Sequence, residues 1–203
     1  MKLIAHRGND GIHKENSLEA IINSLNKDYV DGVEFDVRLT KDKKLIINHD
    51  PFYKGFLISH TNSIKLQKLG LNRLEEILEN VKSDKIIMIE IKVDKRINQM
   101  IKVLNKVLKK YKLNYYICSF NYDFIKKLKD LKKGLIISLK INEKYLNNSF
   151  DFNSVNYLYS KKLPNKETFR WTVNSIEELK KVKKENIITD YPLKMYKIIK
   201  KQS

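Results

Sequence analysis

The residues that could do chemistry come in short, spaced groups. His6 and Arg7 close the run "LIAHRG", in which three apolar residues give way to a charged pair and a glycine, the pattern of a buried strand surfacing at its end. In "GVEFDV" Glu34 and Asp36 are two residues apart, and in "IEIKV" so are Glu90 and Lys92. On a strand each pair shares one face while Val33, Phe35 and Val37, or Ile89, Ile91 and Val93, share the other. Either segment alone reads more readily as an ordinary amphipathic strand with its polar face in water. If both polar faces converge, three carboxylates meet. Two unit charges 4 Å apart interact by about 4 kcal/mol at an effective dielectric of 20, more repulsion than Lys92 alone offsets for three acids. A bound cation resolves it, and all-oxygen ligation suits Mg²⁺ or Ca²⁺ better than zinc. His49 in "KLIINHD" supplies a second imidazole, and Arg7 a planar donor fork suited to phosphate. A hard cation, two imidazoles titrating near neutrality and a guanidinium form a set able to cleave a phosphodiester.

Convergence depends on the elements. Short β-branched runs recur along the chain, and helical patterns over 16–27, 72–82, 95–110, 121–132, 175–184 and from about 193 lie between most of them. Strand alternating with helix predicts parallel β/α units. "DGVEFDV" and "KLIINH" are separated only by "RLTKDK", too short for a parallel crossover, so they are expected to form an antiparallel hairpin. A turn centred on Asp42 and Lys43 would set Asp36 opposite His49. Eight parallel strands remain, at about 2–6, 31–36, 86–92, 115–119, 134–139, 154–159, 169–173 and 186–189. That count predicts a closed (β/α)8 TIM barrel, α/β in class, with function at the C-terminal strand ends. Short connections after the fifth and sixth strands make it an abbreviated one, and residues 1–203 read as a single barrel domain. The first helix is expected to be capped by Asn16 with Glu19 in a capping box.

Composition narrows the setting. With 42% hydrophobic residues and only nine Gly plus Pro, the chain can bury a core. One cysteine, Cys118, excludes an internal disulfide and reads as a packed strand residue. The first residues lack a signal-peptide apolar region and no run reaches membrane-spanning length, which predicts a cytoplasmic protein. The 41 Lys and Arg against 24 Asp and Glu give a net charge of +17, favouring anionic partners. Lysines scattered among Ile, Val and Leu in "MIKVLNKVLKKYK" read instead as solvated helix faces. No nucleic-acid-binding signature accompanies them. Nucleic acid is therefore not the expected partner, peripheral contact with anionic lipid stays open, and oligomeric state is not read from the sequence.

The ordered motifs "HRG", "ENSLEAI", "DGVEFDVRLTKDKKLIINHDP", "IEIK", "CSF", "WTVN" and "IITDYP", spanning residues 6 to 192, resemble the glycerophosphodiester phosphodiesterase family. The resemblance implies a TIM barrel hydrolysing a glycerophosphodiester to glycerol 3-phosphate and an alcohol. It implies one divalent metal on Glu34, Asp36 and Glu90, His6 and His49 as general acid and base, Arg7 and Lys92 on the phosphate, and Trp171 lining the pocket. Two rivals accompany it: a phospholipase D-like lyase that stops at a cyclic phosphate, and a non-catalytic basic barrel binding nucleic acid. Departures are the small insertion after "HD", only "PFYKGFLISHTNSIKLQKLG", and Lys14 and Ser17 where the family's "PENT" loop has proline and threonine. His13 and His60 match no catalytic position. Ser119 and Phe120 fall near the mouth, and Asp190 ends the last strand as a brace outside the catalytic set.

Overall fold

The computed structural model describes residues 1–139, 141–145, 150–182 and 184–202. Its strands are β1 (Leu3–Ala5), β2 (Gly32–Leu39), β3 (Leu45–Ile47), β4 (Phe52–Tyr53), β5 (Phe56–Leu57), β6 (Ile86–Ile91), β7 (Asn114–Ser119), β8 (Lys133–Ile137), β9 (Phe152–Asn156), β10 (Glu167–Trp171) and β11 (Asn186–Thr189). Its helices are α1 (Leu18–Leu25), α2 (Ser63–Lys68), α3 (Leu74–Asn80), α4 (Ile97–Leu108), α5 (Tyr122–Lys127), α6 (Ile176–Lys181) and α7 (Pro192–Gln202). Parallel pairing runs β1, β11, β10, β9, β8, β7, β6, β2 and back to β1, closing an eight-stranded barrel. The antiparallel β3 lies outside it on β2. Among the described residues only a 3-10 turn, Glu143–Tyr145, fills the β8–β9 connection and no helix follows β9, the expected abbreviation. No described helix is long and apolar enough to cross a membrane.

Strand alternation sorts the side chains. Val33, Phe35, Val37, Ile87 and Ile89 join the buried outer layer with Leu74, Ile77, Met100 and Leu104 of the helices. Ile4, Met88, Tyr116, Cys118, Ile136, Phe152 and Phe169 fill the interior. Glu34, Asp36 and Glu90 alternate with the outer set and therefore point inward, as the spacing predicts. Gly8 permits the turn below α1. It has φ of +64°, and an added Cβ would lie 2.8 Å from the Ile21 Cα, so both backbone and space exclude a larger residue.

Three expectations are corrected. The N-cap of α1 is Ser17, which accepts from the Ala20 N–H at 3.2 Å. Asn16 instead has φ of 57° and turns its amide to Asp36, so the helix starts one residue late. The hairpin register is also one residue off, with Val37 pairing with Ile47 and the Asn48 N–H donating to the Asp36 carbonyl at 3.0 Å. The cause is a turn longer than two residues. Thr40 N–H bonds the Lys44 carbonyl at 2.9 Å, Lys43 takes φ of 61°, and Thr40 Oγ1 donates to Asp42 at 2.6 Å. His49 consequently lies past the ladder rather than opposite Asp36. Finally, α5 stops at Lys127 rather than 132, where Leu128 turns extended to bury completely, its carbonyl capped by Lys133.

Candidate active site

The C-terminal ends of the barrel strands surround a cavity of about 280 Å³. Of the eight residues predicted for the site, His6, Arg7, Glu34, His49, Glu90, Lys92 and Trp171 line it. Asp36 lies just behind, 1% exposed. One oxygen each from Glu34, Asp36 and Glu90 lie within 4.8 Å of one another. These come from adjacent strands in register, Asp36 of β2 beside Glu90 of β6, so the parallel ladder itself brings the carboxylates together.

A ring of polar contacts fixes the cluster. Asn16 Nδ2 donates to Asp36 Oδ2 at 2.9 Å and its Oδ1 accepts from the Asp36 N–H at 3.1 Å. Lys92 Nζ lies 2.5 Å from Glu90 Oε1 and 3.1 Å from Asp36 Oδ1. Arg7, at φ of 51°, donates its backbone N–H to Glu34 Oε2 at 3.1 Å, a contact that offsets a backbone conformation costly for a side-chain-bearing residue. Its guanidinium reaches Glu15 at 2.7 Å and stands 3.5 Å from Asp36. Burial first, then the Asp36 charge, push the Glu34 carboxyl up to about 8. Burial also raises Glu90, against the opposing pull of Lys92. An all-oxygen set this crowded and dry, favouring protonation when it stands alone, fits a divalent cation.

The imidazoles are oriented differently. His6 Nδ1 lies 2.6 Å from Asp190 Oδ1, and its Nε2 faces Glu34 Oε2 at 3.8 Å. Asn174 Nδ2 donates to the other Asp190 oxygen at 2.7 Å, while Asn174 Oδ1 accepts from the Asp190 N–H at 2.9 Å. Burial pulls the His6 pKa down, but the Asp190 hydrogen bond and the Glu34 and Asp190 charges prevail and it ends up raised. His49 is more open: its Nδ1 sits 2.8 Å from Asp50 Oδ1, and Arg38 anchors its carbonyl at 2.6 Å. Across the cavity, Trp171 packs edge-on to Phe120 at 5.9 Å, and its indole N–H is buried without a hydrogen-bond partner. Ser119 Oγ is spent on the Ile91 carbonyl at 2.6 Å. Cys118 is buried, its thiol pushed well up by that burial, and is inert. His13 pairs with Asp10 at 2.5 Å and His60 with Ser59 at 2.9 Å, both outside the cavity.

The sequence reading set Asp190 outside the catalytic set as a brace, gave Asn16 as an N-cap and did not single out Asn174. The available signal was position: a carboxylate directly after the last barrel strand and an Asn at the entry to the first helix both fall at the mouth.

The sequence profile of the glycerophosphoryl diester phosphodiesterase family matches residues 6–163. The chain belongs to that family. Membership makes it a phosphodiester hydrolase by class. A glycerophosphodiester phosphodiesterase of Caldanaerobacter subterraneus subsp. tengcongensis is 26% identical over 98% of both chains. The crystal structure of a glycerophosphodiester phosphodiesterase from Thermotoga maritima superposes with a TM-score of 0.82 at 28% identity, over 97% of each chain. An uncharacterized Mycoplasma genitalium protein is 29% identical over 154 residues, and the match spans 65% of that relative's length. Family and TIM barrel are those the motifs implied.

Proposed function

We propose that the chain hydrolyses a glycerophosphodiester to glycerol 3-phosphate and an alcohol, with His6 and His49 as its acid–base pair and one divalent cation, Mg²⁺ or Ca²⁺, on Glu34, Asp36 and Glu90. The observation that carries this reading is the shared cavity: two imidazoles, an acidic cluster and two cationic side chains face one space at the barrel mouth. When bound, the cation neutralises the cluster and supplies Lewis-acid stabilisation of developing phosphoryl charge.

The chain's own groups do the rest. Asp190 engages His6 Nδ1 and Asp50 engages His49 Nδ1, so each ring moves its proton at Nε2. One takes the proton of the attacking water, or of the substrate's neighbouring hydroxyl, in which case water then opens the cyclic phosphate, and the other delivers a proton to the departing alkoxide. Arg7 and Lys92 bring positive charge and N–H donors to the phosphoryl oxygens. Lys92 is shared in the free site by Glu90 and Asp36, and anionic substrate competes for it. The unpartnered Trp171 N–H and its ring edge shape the glycerol side of the pocket.

Phosphorus NMR of a glycerophosphodiester digest in Mg²⁺ or Ca²⁺ tests the reaction type. The expected end product is the glycerol phosphate monoester. Persistent cyclic phosphate would instead assign a lyase, and no turnover with either metal would contradict the reading.

A further inference from the structure

Exposed apolar side chains are distributed unevenly over the barrel. Nine large hydrophobic residues are described as exposed, and seven lie at the mouth end. Ile12 follows β1, Phe52 follows β3, Leu139 and Ile141 follow β8, Leu158 follows β9, and Tyr191, with Leu193 beside it, follows β11. Their exposures run from 44% at Leu158 to 76% at Ile12. In barrel order they trace an arc over β8, β9, β11, β1 and the β3 flank, interrupted at β10, where Trp171 faces the cavity. Of the other two, Ile64 is on α2 and Met1 precedes β1 at the opposite end, where a polar cluster of Lys2, Lys132, Tyr116 and Glu167 closes the floor.

The same arc is basic. Lys14, Lys54, Lys144 and Lys194 are exposed on it, and of its exposed carboxylates Glu15 and Asp50 are already engaged by Arg7 and His49, while Glu19 stands in the first turn of α1. Apolar residues at loop tips, interleaved with lysines on a protein of net charge +17, match an interface that offers hydrocarbon beneath an anionic layer. A polyanion such as nucleic acid would leave the apolar tips uncovered. A protein seated on the same arc would cover the mouth of the cavity that holds the site.

We infer that the barrel mouth docks on the surface of an anionic lipid bilayer, with the apolar loop tips entering the headgroup layer and the lysines on its phosphates, so that diesters in lipid headgroups are delivered to the cavity. The delivery clause rests on the proposed hydrolysis; the docking does not. The test is co-sedimentation of the full chain with vesicles of phosphatidylcholine alone or with about 30% phosphatidylglycerol. It compares the wild type with a variant carrying Ile12→Ser, Phe52→Ser, Leu139→Ser and Leu158→Ser, none of which lines the cavity. Wild type is expected to bind the anionic vesicles at least tenfold more tightly than neutral ones, less so at high salt as screening shortens. The variant should lose at least tenfold in that binding and retain wild-type turnover of a soluble glycerophosphodiester. Equal binding to both vesicles, or anionic binding unchanged in the variant, overturns the docking. Failure of the wild type to turn over any soluble diester overturns the proposed function instead, and the sedimentation result still decides the surface.

Discussion

At the scale of single residues, the proposed function divides the site into groups that move protons and groups that hold them in place. His6→Ala and His49→Ala should each lower kcat by about 10²–10⁴, the range for losing a positioned acid or base. The double variant should be little worse than the weaker single, because the two act as one unit. A diester with a p-nitrophenolate leaving group needs no proton donor and should rescue whichever variant lost the acid; steady-state kinetics on both substrates checks this. In the proposed mechanism Asp190 acts through His6, whose Nδ1 it engages. Asp190→Asn keeps the shape but removes one of the charges that hold the His6 pKa up against burial. The His6 limb of the pH–rate profile should therefore move to lower pH, with kcat down by about 10²-fold. A uniform loss of activity with an unmoved profile would mean that Asp190 only braces the barrel.

At the scale of elements, the floor of the barrel is where pH should act on stability. Glu167, the first residue of β10, accepts from Lys2 at 2.6 Å, Lys132 at 2.8 Å and Tyr116 at 3.0 Å. Burial works against its charge, but these partners outweigh it and hold the carboxyl down at about 2 against an ordinary 4.5. A carboxyl depressed by folding contributes stability that is fully present above its unfolded pKa and lost as pH falls through the folded one. Acid unfolding between pH 4.5 and 2 should thus flatten in Glu167→Gln, measured as Tm against pH. Equal slopes for variant and wild type would deny the cluster that role. The same elements show what the sequence could disclose. Period-two alternation set Glu34, Asp36 and Glu90 on one face and Val33, Phe35 and Ile89 on the other, because strand geometry is local, and the eight-strand barrel turned the acidic face inward. The β2–β3 register escaped by one residue, since Thr40 and Asp42 build a side-chain-stabilised turn that spacing does not show. Asn16 carried the marks of an N-cap, yet its partner is Asp36, twenty residues away, and propensity cannot see such a partner. Asp190 was visible as a mouth residue, but its pairing with His6 across 184 positions exists only once β11 closes against β1.

For the whole molecule, closure of the barrel sets the chemistry. Eight strands of independent sequence place their ends around one space, so that a histidine from residue 6 and an aspartate from residue 190 meet. The cost of that convergence is two buried carboxylates and a third mostly buried one held within one ion's reach, which the protein's abundant positive surface charge does little to relieve because it is solvated and screened. The proposed function requires a divalent cation on this cluster. The most direct measurement is release of glycerol phosphate by the purified chain after EDTA treatment and readdition of Mg²⁺, Ca²⁺ or Mn²⁺, read beside Glu34→Gln. Chelation should abolish turnover, readdition should restore it in the wild type and raise its Tm by preferential binding to the folded form, and Glu34→Gln should recover little of either. Full activity in EDTA, or a melting curve indifferent to saturating metal, would contradict it.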